Sequence, residues 1–295
     1  MKQYVCIDIG GTSIKYGVLT EKLEMLTKGN RATESEGGGA EILRKLESII
    51  ADYQKEYTVS GVAISTAGMV DPEEGSIIYS CDLMPHYTGT PLKKWVENTF
   101  NLPCTVENDV NCMGIAESMI GAGRGKKSCF CLTVGTGIGG CMVIDDQVYH
   151  GFSNSACEVG YLRLAGGKTF QECAATSVLV EKVAQMRRID PSEIDGKIIF
   201  EQAKLGAEDC ISAIDELVES LTEGIAGCVY ILNPEIIILG GGITAQHDYL
   251  GARIIKALNT KIIESIRCKT TFAFAENGND AGMIGALLNF QNRIA

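Results

Sequence analysis

Three short stretches of this chain carry residue types suited to phosphate, and they stand far apart in the sequence. The first is Asp8-Ile9-Gly10-Gly11-Thr12-Ser13-Ile14-Lys15, set between the apolar runs Tyr4 to Ile7 and Ile14 to Leu19. Glycines let a backbone approach a ligand closely, and backbone N–H groups with hydroxyls satisfy phosphate oxygens. Asp8 beside them offers a carboxylate to Mg²⁺, directly or through water. Alone, the stretch reads equally well as an ordinary glycine-rich hairpin turn. The second, Leu132 to Ile144, repeats the plan around Gly135-Thr136-Gly137. The third, Ile236 to Thr244, is an apolar strand running into Gly240-Gly241-Gly242. Together they look like one nucleotide site assembled from distant segments. A fourth stretch, Glu107-Asn108-Asp109-Val110-Asn111, places an acid where a short strand gives way to a helix. Ligands of open α/β sheets bind outside the carboxyl ends of strands, and a helix N-terminus stabilises a carboxylate. Asp109 also reads as a plain N-cap.

The elements that must position these residues follow from the apolar pattern. Residues 3–20 read as a hairpin and 23–33 as a third strand. Ile42, Leu46, Ile49, Ile50 and Tyr53 fall at helical spacing, predicting a helix over 40–57. Val59 to Ser65 reads as a buried strand that ends in the small-residue turn Ser65-Thr66-Ala67-Gly68. Three strands, a helix and a strand make a ribonuclease-H-like core, half of a doubly wound α/β protein. Residues 80–91 read as a loop, Leu92 to Phe100 as a helix opened by Pro91, and 103–107 as a short strand. Helix continues over Met113 to Ile120, and Gly121 to Lys127 forms a loop at which the second half begins. From Ala174 to about Asn233 the pattern is mainly helical. A strand at 235–239, a helix over 248–265, a strand at 269–274 and a last helix from Gly282 to Gln291 complete the chain. Two decoys fail on context. GAGRGKKS lacks the P-loop spacing, and Gly135 to Gly140 matches GxGxxG but runs into a strand rather than a helix.

The chain has 295 residues, 45% hydrophobic and 21% charged, enough for about two domains with real cores. Its formal net charge of −11 argues against a nucleic-acid or anionic-membrane partner. No stretch approaches a membrane span, and the N-terminus lacks a signal core, which predicts a cytoplasmic protein. The 12 cysteines form no CxxC and sit mostly in apolar or helical patterns, as small buried thiols in a reducing compartment do.

With these residues in view, the chain resembles the ROK family of bacterial sugar kinases and repressors, part of the actin and hexokinase superfamily. DIGGTSIK is similar to that family's first phosphate motif, TVGTGIGG to its second and ILGGG to its adenosine motif. ENDVN resembles its catalytic segment and STAGMVD its sugar-proximal turn. The resemblance runs nearly end to end, with the motifs in family order. It implies two ribonuclease-H-like (actin-like ATPase) domains with an interdomain active-site cleft. The expected domains are residues 1–118 with 282–295, and 119–281. It implies ATP and Mg²⁺ as cofactors and Asp109 as the base taking a proton from a sugar hydroxyl. Asn108, Glu158, Glu172, Asp82, Tyr161, Ala67 and Gly68 are implied to meet the sugar. Asp8 would hold Mg²⁺. Gly10, Gly11, Thr12, Lys15, Gly135, Thr136 and Gly137 would handle phosphates, and Gly241 and Gly242 would pack near adenine. Homodimers are common in the family, and a homodimer is expected here.

Two departures from the family pattern matter. ROK kinases typically carry ExGH followed by CxCGxxGCxE, which binds a structural zinc. Here the first reads Glu158-Val159-Gly160-Tyr161, and the second reads GGKTFQE without the cysteine trio. Cys157 and Cys173 alone cannot build a tetrahedral site, so no structural zinc is expected. The family's NLPGWxGxPL loop is altered too, with Asp82 for the asparagine and His86-Tyr87 for the glycine and tryptophan. A zinc-less chain with this loop resembles the β-glucoside kinase branch, which phosphorylates the 6-hydroxyl of cellobiose-type disaccharides. N-acetylmannosamine kinase or another hexose kinase is the alternative within the family. A repressor would carry a helix-turn-helix domain before the hairpin, and only seven residues precede Asp8. An ATP-driven switch or filament protein of the wider superfamily is a second rival, but the ENDVN segment and the acids Glu158 and Glu172 are better explained by a sugar. A non-catalytic sugar sensor is a third.

Overall fold

The computed structural model describes residues 1–82 and 84–294; Leu83 and Ala295 lie outside the described residues. The chain forms two compact units, residues 1–120 with 150–156 and 277–295, and residues 121–149 with 157–276. The first unit holds β1 (Gln3–Ile9), β2 (Ser13–Thr20), β3 (Met25–Ala32), α1 (Gly38–Glu56), β4 (Val59–Thr66), β5 (Met69–Asp71), β6 (Ser76–Tyr79), α2 (Leu92–Phe100), β7 (Cys104–Asn108) and α3 (Asp109–Ile120). The second holds β8 (Ser128–Val134), β9 (Ile138–Ile144), β10 (Gln147–Val148), α4 (Phe170–Ala174), α5 (Thr176–Arg187), α6 (Gly196–Lys204), α7 (Glu208–Leu232), β11 (Ile236–Gly240), α8 (His247–Lys261), α9 (Glu264–Arg267) and β12 (Thr271–Phe274). The chain then returns to the first unit as α10 (Ala281–Ile294).

The two sheets have one plan. The first runs β3-β2-β1-β4-β7, with β1–β2 and β2–β3 antiparallel and β1–β4 and β4–β7 parallel. The second runs β10-β9-β8-β11-β12 with the same directions in the same places. Both are ribonuclease-H-like, which the strand–strand–strand–helix–strand pattern predicts for the first and the family resemblance implies for the second.

Strand side chains alternate between faces. In the first unit Val5, Ile7, Ile9, Val62, Ile64, Cys104 and Val106 enter one core with residues of α1 and α2. Tyr4, Cys6 and Ala63 enter the other, against Cys112 of α3 and Met283, Ala286, Leu287 and Phe290 of α10. Asp8, Ser65 and Glu107 belong to this second face by alternation, and the register sets them side by side: Asp8 opposite Ser65, Ser65 opposite Glu107. Helices α3 and α10 pack so tightly that a Cβ on Gly285 would run into the Cys112 carbonyl oxygen.

Boundaries depart from the sequence reading in several places, among them the end of the first unit's opening stretch at 120 rather than 118. Residues 150–156 pack with the first unit, where His150 meets Glu107, rather than with the second. The first unit also regains the chain at 277 rather than 282, because Glu117 of α3 takes hydrogen bonds from both the backbone N–H and the side chain of Asn277. The helix expected over 248–265 is two, since α8 stops at Lys261 and a short α9 follows. The twelve cysteines are free thiols, most of them buried, with Cys81 and Cys268 exposed. Among the described residues no helix is long and apolar enough to cross a membrane.

Candidate active site

In the first unit the β1–β2 turn is pinned from two directions. Gly10 N–H donates to the Ser13 carbonyl (3.0 Å), while the Thr33 hydroxyl and N–H donate to the Gly10 and Thr12 carbonyls (2.6 and 2.9 Å). Asp8 lies just before this turn. Its Oδ1 accepts the Ser65 hydroxyl at 2.7 Å, and its Oδ2 lies 3.6 Å from Lys15 Nζ. Lys15 also donates to the Asn279 carbonyl at 3.3 Å. The start of α10 comes up to the carboxylate, and a Cβ on Gly282 would stand 2.5 Å from Asp8 Cγ. Only glycine fits there, and the helix start adds positive potential beside the acid.

A single carboxylate at such a turn suits Mg²⁺ held mostly by phosphate oxygens and water. It does not suit a protein cage, and among the described residues no group of three or more His, Cys, Asp or Glu could hold a metal.

Asp109 begins α3 at the carboxyl end of β7. The N-cap is Asn108, not Asp109, because Asn108 Oδ1 accepts the N–H groups of Val110 (2.9 Å) and Asn111 (3.1 Å). Asn108 Nδ2 donates to the Gly68 carbonyl and to Asp109 Oδ1, both at 2.9 Å. The Val110 N–H reaches the same Asp109 oxygen at 3.0 Å. The carboxylate is thereby fixed in rotation and tied to the Ala67-Gly68 turn. With both amide hydrogens and both carbonyl lone pairs engaged, Asn108 would have to release a bond to hold a sugar hydroxyl.

Sequence reasoning missed Glu107. Its side chain is 1% exposed and accepts from the Asn108 N–H (2.9 Å), Asn111 Nδ2 (2.8 Å) and His150 Nε2 (2.8 Å). Burial, then Glu107, then Asp8 and Asp109 push the Cys112 thiol well above its usual pKa, so it stays protonated at this acidic corner. In the 80–91 loop Asp82 is exposed, but Tyr87 is fully buried and shares a 2.7 Å hydrogen bond with Thr66. Tyr87 is a core residue, and burial raises its hydroxyl pKa.

In the second unit the β8–β9 turn is held by α5. The Thr176 N–H and hydroxyl both donate to the Gly135 carbonyl (2.8 and 2.5 Å), and the Ser177 hydroxyl donates to the Thr136 carbonyl (2.9 Å). Gly241 has φ +86°, and a Cβ there would stand 2.5 Å from the Val134 carbonyl oxygen. That close approach brings the β11 turn against the end of β8. A cavity of about 660 Å³ opens beside these turns, lined by Thr136, Ser177, Lys197, Phe200, Gly242 and Gln246 among others. Lys197, Phe200 and Gln246 carried no signal in the sequence, because they converge from α6 and the turn after β11.

Glu158 is half-buried, and burial alone raises its carboxyl pKa. Tyr161 is 48% exposed one short turn later. Glu172 is exposed and forms a capping box with Thr169, whose N–H and hydroxyl both reach Glu172 Oε2 at 2.7 Å. The Thr169 bonds lower its pKa. The expected sugar residues therefore fall into two sets. Asn108, Asp109, Ala67, Gly68 and Asp82 belong to the first unit, and Glu158, Tyr161 and Glu172 to the second.

The model of the ROK family matches residues 4–293. A β-glucoside kinase of Listeria monocytogenes is 32% identical over 294 residues, which cover 96% of this chain and 95% of that protein. The ROK family glucokinase of Streptomyces griseus, solved with glucose and AMPPNP, superposes with a TM-score of 0.84 at 27% identity, over 97% of this chain and 98% of that one. A ROK family protein of Streptococcus pneumoniae, solved with sucrose, superposes with a TM-score of 0.85 at 28% identity, over 98% of each chain.

Proposed function

The chain belongs to the ROK family, and from that premise we propose that it is an ATP-dependent sugar kinase acting on the 6-hydroxyl of glucose or of a β-glucoside such as cellobiose. The observation that carries this reading is Asp109, an acid at a strand–helix junction whose carboxylate is held by Asn108 and the Val110 N–H. Asp109 accepts the proton of the sugar hydroxyl as that oxygen attacks the γ-phosphorus, the bond to the bridging oxygen breaks, and ADP leaves. Phosphoryl transfer asks mainly for positioning and charge neutralisation, so a rigid base serves better than one of raised pKa. Asp8 would hold Mg²⁺, which when bound offsets charge on the phosphates. The β1–β2 and β8–β9 turns carry the Gly-Thr composition suited to phosphate, and the cavity beside Gly242 has room for a nucleoside.

Support for a disaccharide substrate comes from the missing zinc-motif cysteines, the exposed Asp82 in the 80–91 loop and the 32% identity to a β-glucoside kinase. Phosphorus NMR of the product formed from Mg-ATP with cellobiose, gentiobiose, glucose or N-acetylmannosamine tests the assignment. A 6-phosphate formed fastest from a β-linked disaccharide is the expected result. A faster reaction with a monosaccharide would keep the kinase and overturn the disaccharide preference, and no phosphorylated sugar from any of them would overturn the kinase.

A further inference from the structure

Glu107 is a buried acid and His150 a half-buried histidine, neither used by the reaction scheme, and they touch one another. Glu107 lies one residue before Asn108 on β7, pointing to the α3/α10 face. Its carboxylate spans three donors: Oε1 takes the Asn108 N–H and Asn111 Nδ2, and Oε2 takes His150 Nε2. Two of those donors flank Asp109 on either side along the chain. The third comes from residues 150–156, a segment closed on itself by the Ala156 N–H donating to the His150 carbonyl at 3.1 Å. The buried carboxylate has three donors, and losing one of them leaves a buried acceptor unsatisfied. The Glu107 rotamer is therefore set by His150 from one end and by the catalytic turn from the other.

We propose that Glu107 and His150 form a positioning pair that fixes the Asn108–Asn111 turn, so that the carboxylate of Asp109 meets the sugar hydroxyl in one orientation. The pair touches no substrate; it acts through the peptide N–H of Asn108 and the side chain of Asn111. It rests on the reading of Asp109 as the base. A misplacement of about 1 Å at a reacting group costs about 100-fold in rate, and sugar binding depends on it far less. Removing His150 should therefore lower kcat and leave the sugar KM nearly unchanged.

The test compares wild type, His150→Ala, His150→Gln, Glu107→Ala and Asp109→Asn in sugar-dependent ADP release. His150→Ala should lower kcat by about 10- to 100-fold with the sugar KM within about threefold. His150→Gln, which returns an N–H donor near the Nε2 position, should recover most of the loss. Glu107→Ala strips the acceptor from three donors and can fail to fold; its melting curve is read first, and His150→Ala carries the test where it does not fold. Normal kcat in His150→Ala beside an inactive Asp109→Asn overturns the pair alone. Equal impairment of the Ala and Gln variants also overturns it, because the hydrogen bond would then be irrelevant. Wild type without sugar-dependent turnover overturns the kinase reading itself and the pair's role with it.

Discussion

The two units share a strand order yet end their central strands in different chemistry. Across the first sheet the row one residue before the end of β1 reads Lys15, Asp8, Ser65, Glu107. The matching row of the second sheet reads Gly139, Thr133, Gly240. One sheet presents charge at the carboxyl ends of its strands, and the other presents glycine and hydroxyl. Charge suits cation binding and proton transfer; glycine suits the close approach of a backbone to phosphate and base. Under the proposed function, the same scaffold would supply a reacting end in one unit and a holding end in the other.

Substitutions should separate along that line. The largest effect is expected at Asp109: Asp109→Asn should cost about a thousandfold or more in kcat with the sugar KM little changed, read by steady-state kinetics. Comparable turnover in that variant would break the contrast between reacting and holding ends. Next is Gly241→Ala, where positive φ and the Val134 carbonyl both oppose a side chain. It should raise the nucleotide KM by about 10-fold while kcat at saturation holds, since it disturbs binding rather than the reacting atoms. Packing gives a third contrast. Gly285→Ala forces α10 away from α3 in the first unit and should lower unfolding stability by about 1 to 3 kcal/mol, read from urea midpoints.

Smaller effects sharpen the picture by pH. Burial holds the Glu158 carboxyl above the ordinary glutamate range. On the expected sugar contact the ionised carboxylate is the stronger acceptor of a sugar hydroxyl, and as pH falls Glu158 is protonated earlier than an ordinary glutamate would be. The sugar KM should rise on acidification accordingly, and Glu158→Gln should flatten that rise. Asp209 moves the other way, because its hydrogen bonds from Arg187 bring its pKa to about 2. Its folded pKa lies below the unfolded value of about 3.9, so its stabilisation is full above that pH and is lost as pH falls toward 2. The pair is partly solvent-screened and should contribute about 1 kcal/mol or less, measured as the difference between wild type and Asp209→Asn at neutral and acid pH.

The placement of Asp8 and Asp109 was legible in the sequence because its signals are local. Asp8 and Asp109 stand at punctuation points, where apolar period-2 runs stop at glycines or give way to helical spacing, and the structure places both at strand ends. The three strands, helix and strand that open the first unit followed from the same periodicity, whereas the short β10 of the second sheet did not. What escaped was non-local. Nothing near His150 announces that it will meet Glu107, because the segment 150–156 leaves the second unit and packs with the first. Lys197, Phe200 and Gln246 share a cavity only after α6 and the β11 turn converge. Tyr87 looked like a sugar-loop residue by its neighbours in sequence, but burial against Thr66 makes it core. The Thr169–Glu172 capping box was readable from its spacing, and that role competes with a sugar contact for Glu172.

The central claim is that this chain moves a phosphoryl group from ATP to a sugar with Asp109 as base. Release of ADP from Mg-ATP, measured with and without cellobiose or glucose for wild type and Asp109→Asn side by side, tests it most directly. The account predicts ADP release by wild type only when sugar is present, and its loss by about a thousandfold or more in the variant. ADP release that ignores sugar, or that survives in Asp109→Asn, would contradict it.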